Sequence, residues 1–105
     1  MRAYMVIRAV IHDRDQFISG YATEVAKLVD RFGGKYIVRT PQVIALEGIK
    51  DQHSSVVISE WPSLEAAQQF WRSEEYQEVK KLREGIADCY VVLFEAESLS
   101  GELSS

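Results

Sequence analysis

The spacing of apolar residues changes period several times along the chain, and each change marks an element. Ala3 to Ile11 (AYMVIRAVI) reads as a first strand. Met5, Ile7, Ala9 and Ile11 form one apolar face. Tyr4, Val6, Arg8 and Val10 form the other, apolar but for one charge. Strands with one wet face alternate apolar with polar, so this pattern predicts cover on both sides of the sheet. Asp13 then opens a helix, with Gln16 three residues later in a capping-box pattern. Phe17, Ile18, Tyr21, Val25, Leu28, Val29 and Phe32 follow at helical spacing and form one stripe. Gly33-Gly34 ends the helix, because glycine takes the left-handed conformation beyond a helix terminus without a Cβ clash.

Lys35 to Thr40 (KYIVRT) is a second strand, interrupted by Pro41. Gln42 to Glu47 is expected to resume extended structure as a bent continuation or an edge strand, since proline cannot donate to a ladder. Gly48 to Ser54 reads as a polar turn region, and Ser55 to Trp61 as a third strand rich in β-branched residues. The period changes again at Pro62-Ser63. Ser63 is a candidate N-cap, with Leu64, Ala67, Phe70 and Trp71 on one side. Ser73 is a second, followed by Glu74 and Glu75 in a first turn. Two helical segments with a break near Ser73 are therefore expected. Tyr76, Val79, Leu82 and Ile86 continue the apolar stripe, and Gly85 suits its C-terminal end. Ala87 to Ala96 is a fourth strand, again apolar on both faces. Residues 98–105 are small and polar and read as a frayed tail, leaving one domain over residues 1–97.

The order β-α-β-β-α-β is the ferredoxin-like, split βαβ arrangement of an α+β domain with a four-stranded antiparallel sheet. Right-handed crossovers put both helical regions on one face of that sheet. The other face then has no cover within the chain, although its strands are apolar there. A monomer rarely tolerates so large an apolar patch, so a two-fold homodimer through the sheet face is expected.

Composition narrows the function classes. The formal net charge is −4 and no basic stripe is visible, which argues against a nucleic-acid partner. Lys80, Lys81 and Arg83 cluster at a helix C-terminus, where they complement its dipole. The single cysteine, Cys89, excludes an intramolecular disulfide and a cysteine-cluster metal site, and its apolar strand suits an inert thiol. No run is long enough for a membrane span and no signal peptide is seen, so a cytoplasmic protein without a membrane partner is expected. His12 and His53 stand alone, without partners at ligand spacing, so no metal or other cofactor is expected. Gly33-Gly34 follows a helix instead of opening one, so it is not a phosphate loop.

Four stretches taken together resemble a known family: GGKYIVRT (Gly33 to Thr40), LEG (Leu46 to Gly48), EWPSLEAAQQFWRSEEYQ (Glu60 to Gln77) and KKLR (Lys80 to Arg83). The chain resembles the bacterial domain-of-unknown-function family thirteen-thirty, within the dimeric α+β barrel superfamily. One departure is Thr40-Pro41, where family members often carry Gly-Gly after the strand-two arginine. The resemblance implies a ferredoxin-like fold and a dimer, and supplies no reaction. Superfamily relatives include cofactor-free monooxygenases and muconolactone-type isomerases. By analogy with them, a pocket between sheet and helices is expected to take a small, acidic or aromatic metabolite.

Five residues are candidates to serve such a pocket. Arg39 and Arg83 can fork hydrogen bonds onto a ligand carboxylate. Glu60 is the candidate catalytic acid or base, if burial raises its pKa. Trp71 and Tyr76 would shape the wall. Each has a blander reading beside it. Glu60 with Arg39 or Arg83 suits a structural ion pair, Trp71 and Phe70 suit the core, and Tyr76 suits a plug whose hydroxyl meets backbone. Tyr4, Tyr21 and Tyr36 suit a pocket rim or a dimer interface equally. Two other classes stay open beside ligand binding, an enzyme of the monooxygenase or isomerase kind and a non-catalytic structural or stress-associated homodimer.

Overall fold

The computed structural model describes residues 1–48 and 54–97. His53, most of the polar turn and the expected tail lie outside these residues. The elements are β1 (Arg2–Ile11), α1 (Arg14–Gln16), a π-helical turn (Phe17–Ala22), α2 (Thr23–Arg31), β2 (Lys35–Thr40), β3 (Ser54–Trp61), α3 (Leu64–Arg72), α4 (Glu74–Lys80), a 3-10 turn (Lys81–Arg83) and β4 (Ala87–Ala96). The strands form one four-stranded sheet in the order β2-β3-β1-β4, and every neighbouring pair is antiparallel. This is the α+β, ferredoxin-like arrangement expected from the sequence.

The helix ends follow their caps. Asp13 Oδ1 accepts from the Gln16 amide at 3.1 Å and starts the first helical region. At its far end Gly33 has φ +92°, its amide donates to Asp30 O, and the Gly34 amide donates to Val29 O. That pair of bonds is a Schellman ending. Ser63 Oγ accepts from the Ala66 amide at 3.1 Å. Ser73 is extended, at φ −63° and ψ 147°, so α3 stops and α4 starts afresh. Its hydroxyl donates to Phe70 O and accepts from the Tyr76 amide, joining the two helices through one side chain.

Three local expectations are corrected. Residues 42–47 do not continue the strand: past Pro41 a Val43 amide bond to Ser54 O joins them to the sheet, and Ile44 and Leu46 stand in solvent. Leu82 is exposed, because the 3-10 turn has three residues per turn, shifts the stripe's phase, and carries Arg83 inward instead. The first helical region is not uniformly α. Within its π-helical turn the chain widens, and Thr23 Oγ1 donates to the carbonyl of Ile18, five residues back, at 2.7 Å.

The core lies between the helices and one face of the sheet. Ala3, Met5, Leu28, Trp61, Ala67 and Phe70 are among its buried members. Trp61 is fully buried, stacks at 5.0 Å on Phe70, and donates its Nε1–H to Ser59 Oγ at 2.9 Å. Gly34 lies against this indole so closely that a Cβ would sit 2.8 Å from three ring carbons. The opposite face of the sheet carries Tyr4, Val6 and Arg8 beside Glu60, Ile58 and Val56 on β3 and Phe94, Val92 and Tyr90 on β4. No helix covers it. Arg8 lies over the Tyr90 ring there, and Tyr4 packs against Phe94.

Candidate functional site

Strand alternation puts small side chains where the helix layer stands furthest away. Ala9 on β1 pairs with Ser55 on β3, and Met5 with Ser59. Above them the π-helical turn sets Phe17 and Tyr21 as a roof. The result is a cavity of about 410 Å³, floored by the sheet and closed at one end by Phe70, Trp71 and Tyr76. That volume is in the range of small-molecule pockets, as is a mostly apolar wall with few polar groups.

The polar groups are specifically placed. The Tyr21 and Tyr76 hydroxyls are 3.0 Å apart. Arg83 Nη2 donates to the Tyr76 oxygen at 3.5 Å, and its guanidinium lies 5.5 Å from the Tyr21 ring centre. Burial, with Tyr76 close by, holds the Tyr21 phenol far above its ordinary range, so it stays neutral. Burial also pushes Tyr36 up to about 12, against the pull of Arg39. The Cys89 thiol is raised by burial, with Arg83 opposing. At the rim, Arg14 Nη2 donates to Ser55 Oγ at 3.5 Å, and Ser55 Oγ donates to Pro41 O at 3.0 Å. Thr40-Pro41 thus forms part of the cavity wall.

Of the five residues singled out from the sequence, Arg39, Trp71 and Tyr76 line the cavity. Arg39 is exposed at its edge and Tyr76 is buried. Arg83 is buried behind Tyr76, not spread on the surface at a helix terminus. Glu60 is elsewhere. It pairs in the ladder with Tyr4 and Lys35, on the open side of the sheet, while Ser59 faces the helices. Its carboxylate meets Arg2 Nη1 at 3.0 Å and Lys35 Nζ at 3.6 Å, so its ion pairs are with neither Arg39 nor Arg83. A residue one step along a strand changes face, and this parity separates Glu60 from the cavity. The Tyr76 hydroxyl meets side chains instead of backbone.

Arg39 reaches the cavity through a bulge. The β2–β3 register shifts between Tyr36 and Val38, so Tyr36 pairs with Ser59 and Arg39 with Val57, both on the cavity side. In a regular strand residues three apart would face opposite ways. From the sequence Tyr21 suits a pocket rim and a dimer interface equally, and Arg14 is not singled out; both line the cavity. A hydroxyl in an otherwise wholly apolar helical stripe is the available signal for Tyr21.

Among the described residues no group of three His, Cys, Asp or Glu could hold a metal ion, and no helix is long and apolar enough to cross a membrane. His12 is exposed and pairs with Asp88 at 2.9 Å.

No curated protein matches the chain. Solved structures do. A protein of unknown function from Rhodopseudomonas palustris, RPA0582, is similar at TM-score 0.76 and 20% identity, over 92% of this chain and 83% of that one. SnoaB, a cofactor-independent oxygenase from Streptomyces nogalater, is similar at TM-score 0.66 and 18% identity, over 92% and 94%. At3g17210 from Arabidopsis thaliana is similar at TM-score 0.67 and 14% identity, over 91% and 96%. At these identities the likeness speaks for the fold alone. The family is shown by the sequence itself: a family model matches residues 2–96, and the chain belongs to the family described as Domain of unknown function (DUF1330).

Proposed function

We propose that this protein binds a small aromatic metabolite carrying an acidic group, in the cavity between its sheet and its first helical region. The cavity of about 410 Å³ is the observation that carries the reading. Its apolar wall suits an aromatic body. Arg39, exposed at the edge, and Arg14 suit a carboxylate, which an arginine grips with two parallel hydrogen bonds. Trp71 and Tyr76 form the end wall, and Glu60 has no part in the site. The test is calorimetric titration with aromatic carboxylates and their neutral amides. Arg39→Ala is expected to weaken carboxylate binding about ten-fold, in keeping with a lost charge-assisted hydrogen bond, and to leave amide binding unchanged. Failure of every aromatic probe to bind would end the reading.

A second reading is cofactor-free oxygenation. The fold likeness to SnoaB and the apolar, partly enclosed chamber favour it. Oxygen uptake in the presence of hydroxyaromatic compounds, with no added cofactor, is its test.

The homodimer belongs to the same proposal. On the open face of the sheet Tyr90, Val92 and Phe94 are 61%, 59% and 45% exposed, a patch that a second copy of the face would bury. Sedimentation at micromolar concentration is expected to give twice the 12.0 kDa chain mass, and Val92→Glu to halve it. A 12.0 kDa species alone would refute the dimer.

A further inference from the structure

The two phenols at the closed end of the cavity leave a donor without a use. Two hydroxyls hold two protons, and one proton occupies the 3.0 Å contact between Tyr21 and Tyr76. If Tyr76 donates, the Tyr21 proton is left over. If Tyr21 donates, the Tyr76 proton is. Both rings line the cavity, and neither hydroxyl has another acceptor among the described residues. A buried donor without an acceptor costs free energy that a ligand oxygen would recover.

Behind this pair stands an incompletely satisfied cation. Arg83 is 9% exposed, and its Nε is buried with no hydrogen-bond partner. None of the ion pairs among the described residues includes it; its contacts are Tyr76, Tyr21 and Cys89. A buried guanidinium facing only phenols and a thiol favours negative charge in its neighbourhood. Tyr21 cannot supply that charge, because burial holds it protonated far above its ordinary range. A ligand can.

We infer that the Tyr21–Tyr76 hydroxyl pair, backed by Arg83, is an oxyanion site that takes the ionised oxygen of a phenol or enol on the cavity's ligand. This deepens the cavity reading above and rests on it. One hydroxyl donates directly to the ligand oxygen, while Arg83 polarises the pair through the Tyr76 oxygen. The site lies at the closed end, and Arg39 lies at the exposed edge. Tyr36 lines the same cavity and feels both Arg39 and Tyr76. The ligand class is therefore a hydroxyaromatic or enolic compound whose ionisable oxygen goes in first.

A chromophoric probe tests this. 4-Nitrophenol absorbs visible light only as its phenolate, and 4-nitroanisole is the same body without an ionisable oxygen. The wild-type chain is expected to bind the phenolate about ten-fold tighter than the neutral phenol, so the bound probe titrates about one pH unit below the free one. Tyr21→Phe and Tyr76→Phe are each expected to remove most of that shift, while Glu60→Gln, on the open side of the sheet, retains it. Thermal melts of the same variants show whether each is folded, and the probe titration responds to no merely structural role. Equal binding of nitrophenol and nitroanisole, with an unshifted midpoint, overturns the oxyanion site and leaves the cavity reading standing. A shift that survives both phenylalanine variants also overturns it. Binding of neither probe overturns the oxyanion site, and failure of the aromatic carboxylates as well ends the cavity reading.

Discussion

The two ends of the helix-facing side of the sheet use the same strands and are packed in opposite ways. At one end Trp61, Phe70 and Ala67 fill all the space, to the point that Gly34 has room for no Cβ. At the other, Ala9, Ser55 and Ser59 leave about 410 Å³ open beneath a π-helical turn. The difference arises from side-chain volume at positions of the same strand parity. Trp61 and Ser55 are both on β3 and both face the helices, yet one reaches the helix layer and the other does not. A filled end supplies stability through dispersion and burial, and a hollow end gives some of it up. Keeping both on one sheet lets the filled end hold the frame while the hollow end keeps its cavity.

The comparison breaks most visibly at Trp61. Trp61→Ala is expected to lower unfolding free energy by about 3–5 kcal/mol in urea denaturation, the usual cost of deleting a buried aromatic. A loss below about 1 kcal/mol would mean that this end is not the frame. Next come two alanines enlarged in the same way. Ala67→Leu is expected to cost about 1–3 kcal/mol, because nothing yields around it. Ala9→Leu is expected to cost about 1 kcal/mol or less by the same measurement, since its new methyl groups enter free space, and to abolish ligand binding. Equal costs at the two alanines would show that the ends do not differ.

A smaller effect concerns alkaline pH. Tyr36 titrates near 12 when folded and near 10 when unfolded, owing to its burial. Above pH 10 the unfolded chain therefore releases a proton that the folded chain keeps. The contribution of Tyr36 is whole below pH 10 and is lost progressively as pH rises toward 12. Melting temperature is expected to fall over that window, with a shallower fall in Tyr36→Phe. The smallest effect is expected at Glu60→Gln. Its ion pairs with Arg2 and Lys35 lie on the open side, where such pairs are worth up to about 1 kcal/mol, and ligand binding should not change.

Most of the frame was legible in the sequence. The strands of 2–11, 35–40, 54–61 and 87–96, the Asp13, Ser63 and Ser73 caps, and the Gly33-Gly34 ending all follow from local rules of period and capping. The hollow end was legible only in part. Arg39, Trp71 and Tyr76 could be named because their residue types suit a pocket, but Glu60 could not be excluded, since assigning it a face depends on the exact register of β3. Tyr21 was left between a pocket rim and a dimer interface, because the choice turns on a change of helical pitch. A stripe drawn at 3.6 residues per turn shows it as core, and only the widened π-helical turn brings its hydroxyl to Tyr76. Arg83 could be named as a ligand residue but its burial was not legible, because the 3-10 turn rotates it inward at a place where a charged residue is expected in water.

The bulge between Tyr36 and Val38 bears on more than the aim of Arg39. β2 is one of the two borders of the sheet, and a border strand presents unpaired amides and carbonyls to any other chain that arrives extended. An irregular strand that ends at Pro41 offers no matching ladder to such a chain. The device that turns a guanidinium toward the cavity thus also discourages fibril-like growth along that border. Straightening β2 by deleting Ile37 would keep Arg39 opposite Val57, two residues from Tyr36 and on the cavity side, yet leave the border open to self-association.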